Sequence, residues 1–319
     1  MKQTILLTGG LGYVGGRVSR FLAGQGFNTR LGTRGRAVSA PAWCPSASVV
    51  QTDFASPESL DHACKGADCI IHLAAMNEID SANDPVGALE VNGTGTLKVL
   101  RSAERMGAAR FIHLSTAHVY GAPLAGRITE ESLPRPVHPY AITHRAAEDF
   151  VLAAHDGRRL TGITVRLSNG FGAPVVPSVN RWTLLVNDLC RQAVEGRALA
   201  LKSSGVQQRD FITLEDVGRA IAHLIELPPD RCGNGLFNLG GETSISVAAM
   251  TERVAARSAA VLGFTPAIER PPALPGEASV ALDYRIDKLK ATGFALTGDF
   301  DAEIDATLRL CKEAFGAAR

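Results

Sequence analysis

Through the first half of the chain, short apolar runs alternate with segments whose apolar residues recur at helical spacing. Ile5-Leu6-Leu7 is such a run, and Val14, Val18, Phe21 and Leu22 follow at intervals of four, three and one, the spacing of a helix buried on one face. Val49-Val50 to Asp53, Cys69 to Leu73, Phe111 to Ser115 and Ile163 to Leu167 read as further buried strands. Helices are expected between them. Ser56-Pro57-Glu58 offers an N-cap with proline in the first turn, and Asp84-Pro85 opens a long helix carrying Val86, Leu89, Leu97 and Leu100. Continuous apolar strands separated by helices predict a doubly wound parallel sheet, an α/β Rossmann architecture with ligands at the carboxyl ends of its strands.

From about Ser168 the rhythm changes. A Gly/Pro-rich loop leads to a helix bearing Trp182, Leu185, Val186, Leu189 and Ala193, and Thr213-Leu214-Glu215-Asp216 resembles a capping box before Val217, Ile221, Leu224 and Ile225. Leu236 to Leu239 reads as one more strand of the main sheet. The expected division is a dinucleotide-binding domain over 1–168 and 207–241, with a smaller substrate-binding lobe over 169–206 and 242–319. Helices around Asp287 to Thr292 and Asp301 to Phe315 would complete that lobe.

A length of 319 residues accommodates both lobes, and a formal net charge of +1 with dispersed Lys and Arg gives no footprint for nucleic acid or an anionic membrane. Any anionic ligand must be bound locally. The first strand begins almost at Met1 and no apolar run approaches a membrane span, so a cytoplasmic protein is expected. The cysteines at 44, 64, 69, 190, 232 and 311 form neither a Cys-x-x-Cys pair nor a cluster with His, so free, packed thiols and no metal site are expected.

Between the first strand and helix lies Thr8-Gly9-Gly10-Leu11-Gly12-Tyr13-Val14-Gly15. Gly9 permits a sharp turn, Gly12 lets a pyrophosphate approach the backbone, and Gly15 lets the helix pack closely, while the helix N-terminus offers N–H groups and a positive dipole end. A glycine triplet alone also marks ordinary turns; the strand before it and amphipathic helix after it favour a dinucleotide site.

These features resemble the extended short-chain dehydrogenase/reductase family of nucleotide-sugar epimerases, dehydratases and ketoreductases. The likeness rests on Thr8-Gly9-x-x-Gly12-x-x-Gly15, Asp53, His72-Leu73-Ala74-Ala75, Asn92, Leu114-Ser115-Thr116 with Val119-Tyr120-Gly121, Tyr140, Arg166 with Asn169 and Gly172, and Arg209-Asp210-Phe211-Ile212. It implies a cofactor site drawing on Gly9, Gly12, Tyr13, Val14, Gly15, Thr33, Arg34, Asp53, Phe54, Leu73, Ala74, Ala75, Tyr140 and His144. Thr116 would hydrogen-bond the reacting sugar oxygen while Tyr140 exchanges its proton, since hydride leaves carbon only as oxygen loses a proton. Thr116, Asn169 and Arg209, with Arg285 as a further candidate, would contact a nucleotide-sugar substrate. Asp210 and Asp216 are expected to cap helix ends or pair with neighbouring charges.

Where the family pattern has Tyr-x-x-x-Lys, this chain has His144. Four residues on a helix set it on the face of Tyr140, in reach of the nicotinamide ribose, yet an imidazole is mostly neutral at pH 7. A surface histidine would satisfy the same spacing. The end of the second strand, Thr29 to Arg36, carries no carboxylate for a ribose 2′-OH and offers Thr33, Arg34 and Arg36, so NADP is expected ahead of NAD. The leading expectation is a ketoreductase or dehydrogenase of a nucleotide sugar; alternatives are a 4-epimerase and a non-catalytic dinucleotide sensor. Dehydration fits less well, because Ala117 and His118 stand where family dehydratases carry an acid. The resemblance further implies a homodimer pairing through the helices of Val86 to Leu100 and Tyr140 to Val151.

Overall fold

The computed structural model describes residues 3–35, 39–196, 198–277 and 279–316. Seven strands form a wholly parallel sheet: β1 (Thr4–Thr8), β2 (Asn28–Thr33), β3 (Ser48–Gln51), β4 (Cys69–His72), β5 (Arg110–Thr116), β6 (Thr161–Leu167) and β7 (Leu236–Leu239). Their spatial order is 3-2-1-4-5-6-7. The order reverses between β1 and β4, so the crossovers diverge there and leave a crevice beyond the strand ends.

The helices that cover the sheet are α1 (Tyr13–Gly24), α2 (Pro57–Cys64), α3 (Gly95–Arg105), α4 (Pro139–Asp156) and α6 (Leu214–Glu226); α5 (Leu185–Glu195), α7 (Val247–Leu262) and α8 (Phe300–Phe315) pack together in the second lobe. Ile5, Leu6 and Leu7 are fully buried, as a central strand covered on both faces requires. On one face Leu7, Val18, Leu22 and the apolar side of α6 share a core with Ile112 and Phe237; on the other, Leu6, Ile70 and Phe111 pack against α2, α3 and Val151. Fully burying one such leucine contributes about 1.5–3 kcal/mol. Gly218 of α6 permits its close approach to α1, since a Cβ there would lie 2.9 Å from the ring of Phe21.

Ser56 and Thr213 cap α2 and α6 through their side-chain oxygens. The Asp216 carboxylate does not complete a capping box; it accepts from Thr297 N and Gly298 N and pairs with Arg219 at 2.8 Å. The long helix expected from Asp84-Pro85 is present, though not α-helical throughout. Pro85–Ala88 passes through a π-helical segment, Leu89–Thr94, before α3, and Val86 and Leu89 are exposed. Trp182 lies ahead of α5, buried in a turn where its indole donates to Pro177 O, because helical hydrogen bonding begins only at Leu185. Gln208–Thr213 joins Asn169–Phe171 and Ser244–Ser246 in a separate three-stranded sheet, while β7 closes on β6 of the main one. All six cysteines are free and buried.

Candidate active site

The glycine turn sits at the strand-order reversal. Gly9 has φ +72°, and a Cβ there would lie 2.8 Å from Ala74 N, so the turn and the chain leaving β4 come together only because neither side projects a side chain. At Gly15 a Cβ would fall 2.0 Å from Gly9 O, which identifies the turn itself, rather than the strand, as what Gly15 packs on. Gly12 is exposed and caps α1 with no side-chain hydrogen bond and no acid in the first turn. An uncapped N-terminus over an open glycine edge fits a pyrophosphate. Tyr13 can serve that site only through its backbone: its hydroxyl is buried and donates to Gly172 O at 2.8 Å in the second lobe.

Thr33 ends β2, and its Oγ1 accepts from Gly35 N; Arg34 is exposed beside it, whereas Arg36 lies outside the described residues. Asp53 turns its Oδ1 back to Ala55 N, and the Phe54 ring lies against Gly95 and 6.0 Å from His72. Beyond β4, Leu73 and Ala74 are half-buried and Ala75 is exposed. Asn92 fixes this segment, accepting from Met76 N at 2.7 Å and donating to Thr143 of α4 at 3.0 Å.

Thr116 ends β5. Its Oγ1 accepts from His118 N at 3.2 Å, capping the short helix Ala117–Tyr120. This contact uses the hydroxyl as an acceptor and leaves its proton to donate. Tyr140 sits in the first turn of α4, whose N-cap His138 accepts Tyr140 N through Nδ1. The phenol has no hydrogen bond among the described residues, and burial, with a smaller contribution from Glu78 against Arg181, pushes it up to about 12. Glu78 and Arg181 form an ion pair at 3.0 Å between the chain after β4 and the loop of the second lobe.

His144 is not the surface residue that its spacing also allowed. It is 3% exposed, with its ring stacked 5.5 Å from that of His113 and meeting that of Tyr140 edge-on at 4.5 Å. Desolvation first, then His113, hold it well below its ordinary value, in keeping with a neutral ring.

Arg209, expected in the dinucleotide-binding domain, lies instead on the strand that pairs with Asn169–Phe171 and Ser244–Ser246 on the side of the second lobe; it is half-buried, with no ion pair or hydrogen bond among the described residues, and desolvation alone lowers its pKa. It lies close enough to His118 for its charge, after desolvation, to lower that imidazole, which sets the guanidinium near the turn that follows Thr116. Asn169 commits its Nδ2 to Asp210 O at 2.8 Å and retains its Oδ1. Among the described residues Asp210 neither caps a helix nor pairs with a cation. It is buried, accepts from Ser168 Oγ, Gly241 N and Thr243 N, and is raised by desolvation to about 6. Arg285 is taken up by the exposed carboxylates of Asp287 at 2.7 Å and Asp283 at 3.6 Å and by the half-buried Glu242 at 3.6 Å. Arg166 is interior, clasped by Glu148 at 2.7 Å and laid over the Tyr120 ring.

The sequence reading passed over His113, Glu78 and Arg181. His113 had a signal: its place in β5 matches that of His72 in β4, and the two pair in register.

Comparison with known proteins agrees with this geometry. Residues 5–240 match the model of the NAD dependent epimerase/dehydratase family. A dTDP-glucose 4,6-dehydratase of Neisseria gonorrhoeae is 30% identical over 265 residues, spanning 75% of this chain and 73% of that protein. A UDP-glucose 4-epimerase of Azospirillum brasilense is 29% identical over 262 residues, spanning 76% and 74%. The structure of a Thermus thermophilus UDP-glucose 4-epimerase, a complex with NAD, superposes with a TM-score of 0.79 over 98% of this chain and all of that one; at 23% identity this is a likeness of fold. A match running from the first strand through β7, over the strands and turn that build the crevice, means that the chain belongs to the NAD-dependent epimerase/dehydratase family, enzymes of the extended short-chain dehydrogenase/reductase type that act on nucleotide sugars.

Proposed function

We propose that this chain is a ketoreductase or dehydrogenase that exchanges hydride between a nicotinamide dinucleotide and a keto or hydroxyl carbon of a nucleotide-activated sugar. The observation that carries the substrate class is Arg209, a half-buried guanidinium without an anion, beside the turn that follows Thr116. A diphosphate supplies the missing partner. The N-terminus of α1 and the glycine turn hold the dinucleotide pyrophosphate, and the dinucleotide supplies or accepts hydride at the sugar carbon. Thr116 donates its hydroxyl proton to the reacting oxygen, Tyr140 gives or takes that oxygen's proton, and Asn169 orients the sugar through its free Oδ1.

NADP(H) is the preferred cofactor in this reading, supported by the absence of a carboxylate at Thr33-Arg34 and by the exposed guanidinium of Arg34. The 29% likeness to a UDP-glucose 4-epimerase supports 4-epimerisation as a second reading. The dehydratase relatives favour elimination less, because Ala117-His118 gives no carboxylic acid next to Thr116. A homodimer is supported by exposed Ile142 and Phe150 on α4 and by exposed Ile79, Val86 and Leu89 on the helical segments packed beside it. In line with dispersed charge and no long apolar helix among the described residues, we place the protein in the cytoplasm. Native mass spectrometry of the purified protein, followed by titration with UDP- and dTDP-sugars and their keto forms with NADPH and NADH, tests the reading. Turnover of a keto sugar with net consumption of reduced cofactor supports it; interconversion of 4-epimers without net consumption selects the second reading.

A further inference from the structure

Behind Tyr140 the interior holds three stacked imidazoles. In-register pairing of β4 with β5 sets His72 beside His113, with ring centroids 5.9 Å apart and planes 29° from parallel. His113 continues onto His144 of α4 at 5.5 Å and 27°, and the Tyr140 ring meets His144 edge-on at 4.5 Å. All three imidazoles are buried. The far end is anchored: His72 Nδ1 is 2.7 Å from Thr8 Oγ1 and its Nε2 is 3.0 Å from Thr96 Oγ1. The four ring nitrogens of His113 and His144 have no hydrogen-bond partner among the described residues.

Stacked rings do not pass protons along a hydrogen-bonded line, so this column is no relay. It holds no anion either. Besides desolvation, the charge acting on each ring is that of another imidazole of the column, His144 on His72, His72 on His113 and His113 on His144, and His72 and His113 are pushed down to about 3. A proton on any ring would be a desolvated cation without a counterion, which is strongly disfavoured. The charged groups that face Tyr140 from outside are Glu78 and Arg181, which pair with each other and act on the phenol in opposite directions; His138 caps its helix. Among the described residues no uncompensated cation therefore stands beside the phenol.

We propose that His144 is a positioning residue, held by the His72–His113 column, that sets a neutral wall behind Tyr140 where the family pattern has a lysine, so that Tyr140 serves as a proton donor and the site is suited to ketone reduction. The inference rests on the reading of Tyr140 as the proton-exchanging group. In reduction a hydride from a reduced nicotinamide dinucleotide bonds to the carbonyl carbon, the C–O π pair moves onto oxygen, and the Tyr140 O–H bond breaks as its proton passes to that oxygen. Water then returns a proton to the phenolate. The donor form is present throughout the neutral range, so reduction should be flat from about pH 6 to about pH 9, whereas oxidation of the alcohol should climb about tenfold per pH unit. Epimerisation, which must begin with that oxidation, is disfavoured near neutrality.

The test reads ionisation directly and needs no substrate. Phenolate absorbance of dinucleotide-free wild type is titrated against Tyr140→Phe, and the difference isolates Tyr140 from Tyr13, Tyr120 and Tyr284. Tyr140 is expected to ionise only above about pH 10, and the His144 imidazole resonances should not move between about pH 8 and about pH 5. His144→Lys should bring the Tyr140 ionisation down by at least about one pH unit; His144→Gln, neutral and similar in reach, should leave it in place and covers the case in which the lysine variant does not fold. Ionisation of wild-type Tyr140 below about pH 9, or a His144 ring that charges above about pH 6, overturns the proposal. If the titrations behave as expected but Tyr140→Phe retains full turnover of a keto sugar, it is instead the assignment of Tyr140 as proton donor that fails.

Discussion

Replacing Arg209 with alanine should move binding and stability in opposite directions. In the free protein the guanidinium is half-buried and unpaired, so the fold carries its desolvation without a compensating contact. Removing it breaks no ion pair or hydrogen bond among the described residues. The thermal midpoint of the ligand-free variant should hold or rise slightly. Bound diphosphate, by contrast, loses a charge-assisted hydrogen bond in a crevice partly shielded from water, about 1.5–3 kcal/mol, which corresponds to nucleotide-sugar affinity weaker by roughly 10- to 150-fold. Dinucleotide affinity should change by less than about twofold, because the glycine turn lies on the other lobe. Calorimetric titration with a UDP- or dTDP-sugar, alongside differential scanning calorimetry, separates the effects, and Arg209→Lys should recover part of the affinity as a point charge. Unchanged sugar affinity together with a lowered midpoint would refute the argument and make Arg209 a structural residue.

Four further outcomes are expected. Tyr140→Phe should reduce turnover of the identified keto sugar by about 10²–10⁴-fold while dinucleotide binding persists; wild-type rates would remove Tyr140 from the chemistry. Wild type should bind NADPH more tightly than NADH, and Arg34→Ala should erase the difference, as followed by fluorescence titration of both cofactors. Gly15→Ala places a Cβ 2.0 Å from Gly9 O, so the turn must shift and dinucleotide affinity should fall at least about tenfold; unchanged affinity would show that the turn yields without harm. Glu303→Gln strips the charge from a buried pair with Arg17, side chains 6% and 9% exposed, and should cost about 3–5 kcal/mol in urea unfolding.

What could be read from the sequence was what neighbouring residues decide. The glycine spacing, the Ser56-Pro57 start of α2, the Thr213 cap and the apolar runs of β1, β4 and β5 are local patterns, and each appears in the fold. The histidine column was not legible, because it depends on the register of β4 against β5 and on how deeply α4 seats its fifth residue beyond Pro139. Asp210 misled for a similar reason: a carboxylate before a helix suggests a cap, and only the return of the chain at Gly241 and Thr243 shows what it binds. The π-helical stretch at Leu89–Thr94 contains Asn92, whose side chain reaches Met76 and Thr143, contacts that no helical periodicity encodes.

Arg17 has a consequence for how the molecule can be divided. It leaves the middle of α1, one turn beyond the residues proposed to face a pyrophosphate, and closes on Ala173 O and on both carboxylate oxygens of Glu303 in α8. The family match ends at residue 240, which invites cutting the chain there. Such a fragment would keep the glycine turn and every strand of the main sheet, yet leave a buried guanidinium with Ala173 O and, as its one carboxylate among the described residues, the exposed Glu215 at 4.0 Å. The helix that opens the nucleotide fold is thus completed by the last helix of the chain, so the two lobes should melt in one cooperative transition, and a fragment ending at 240 should not behave as an independent nucleotide-binding module.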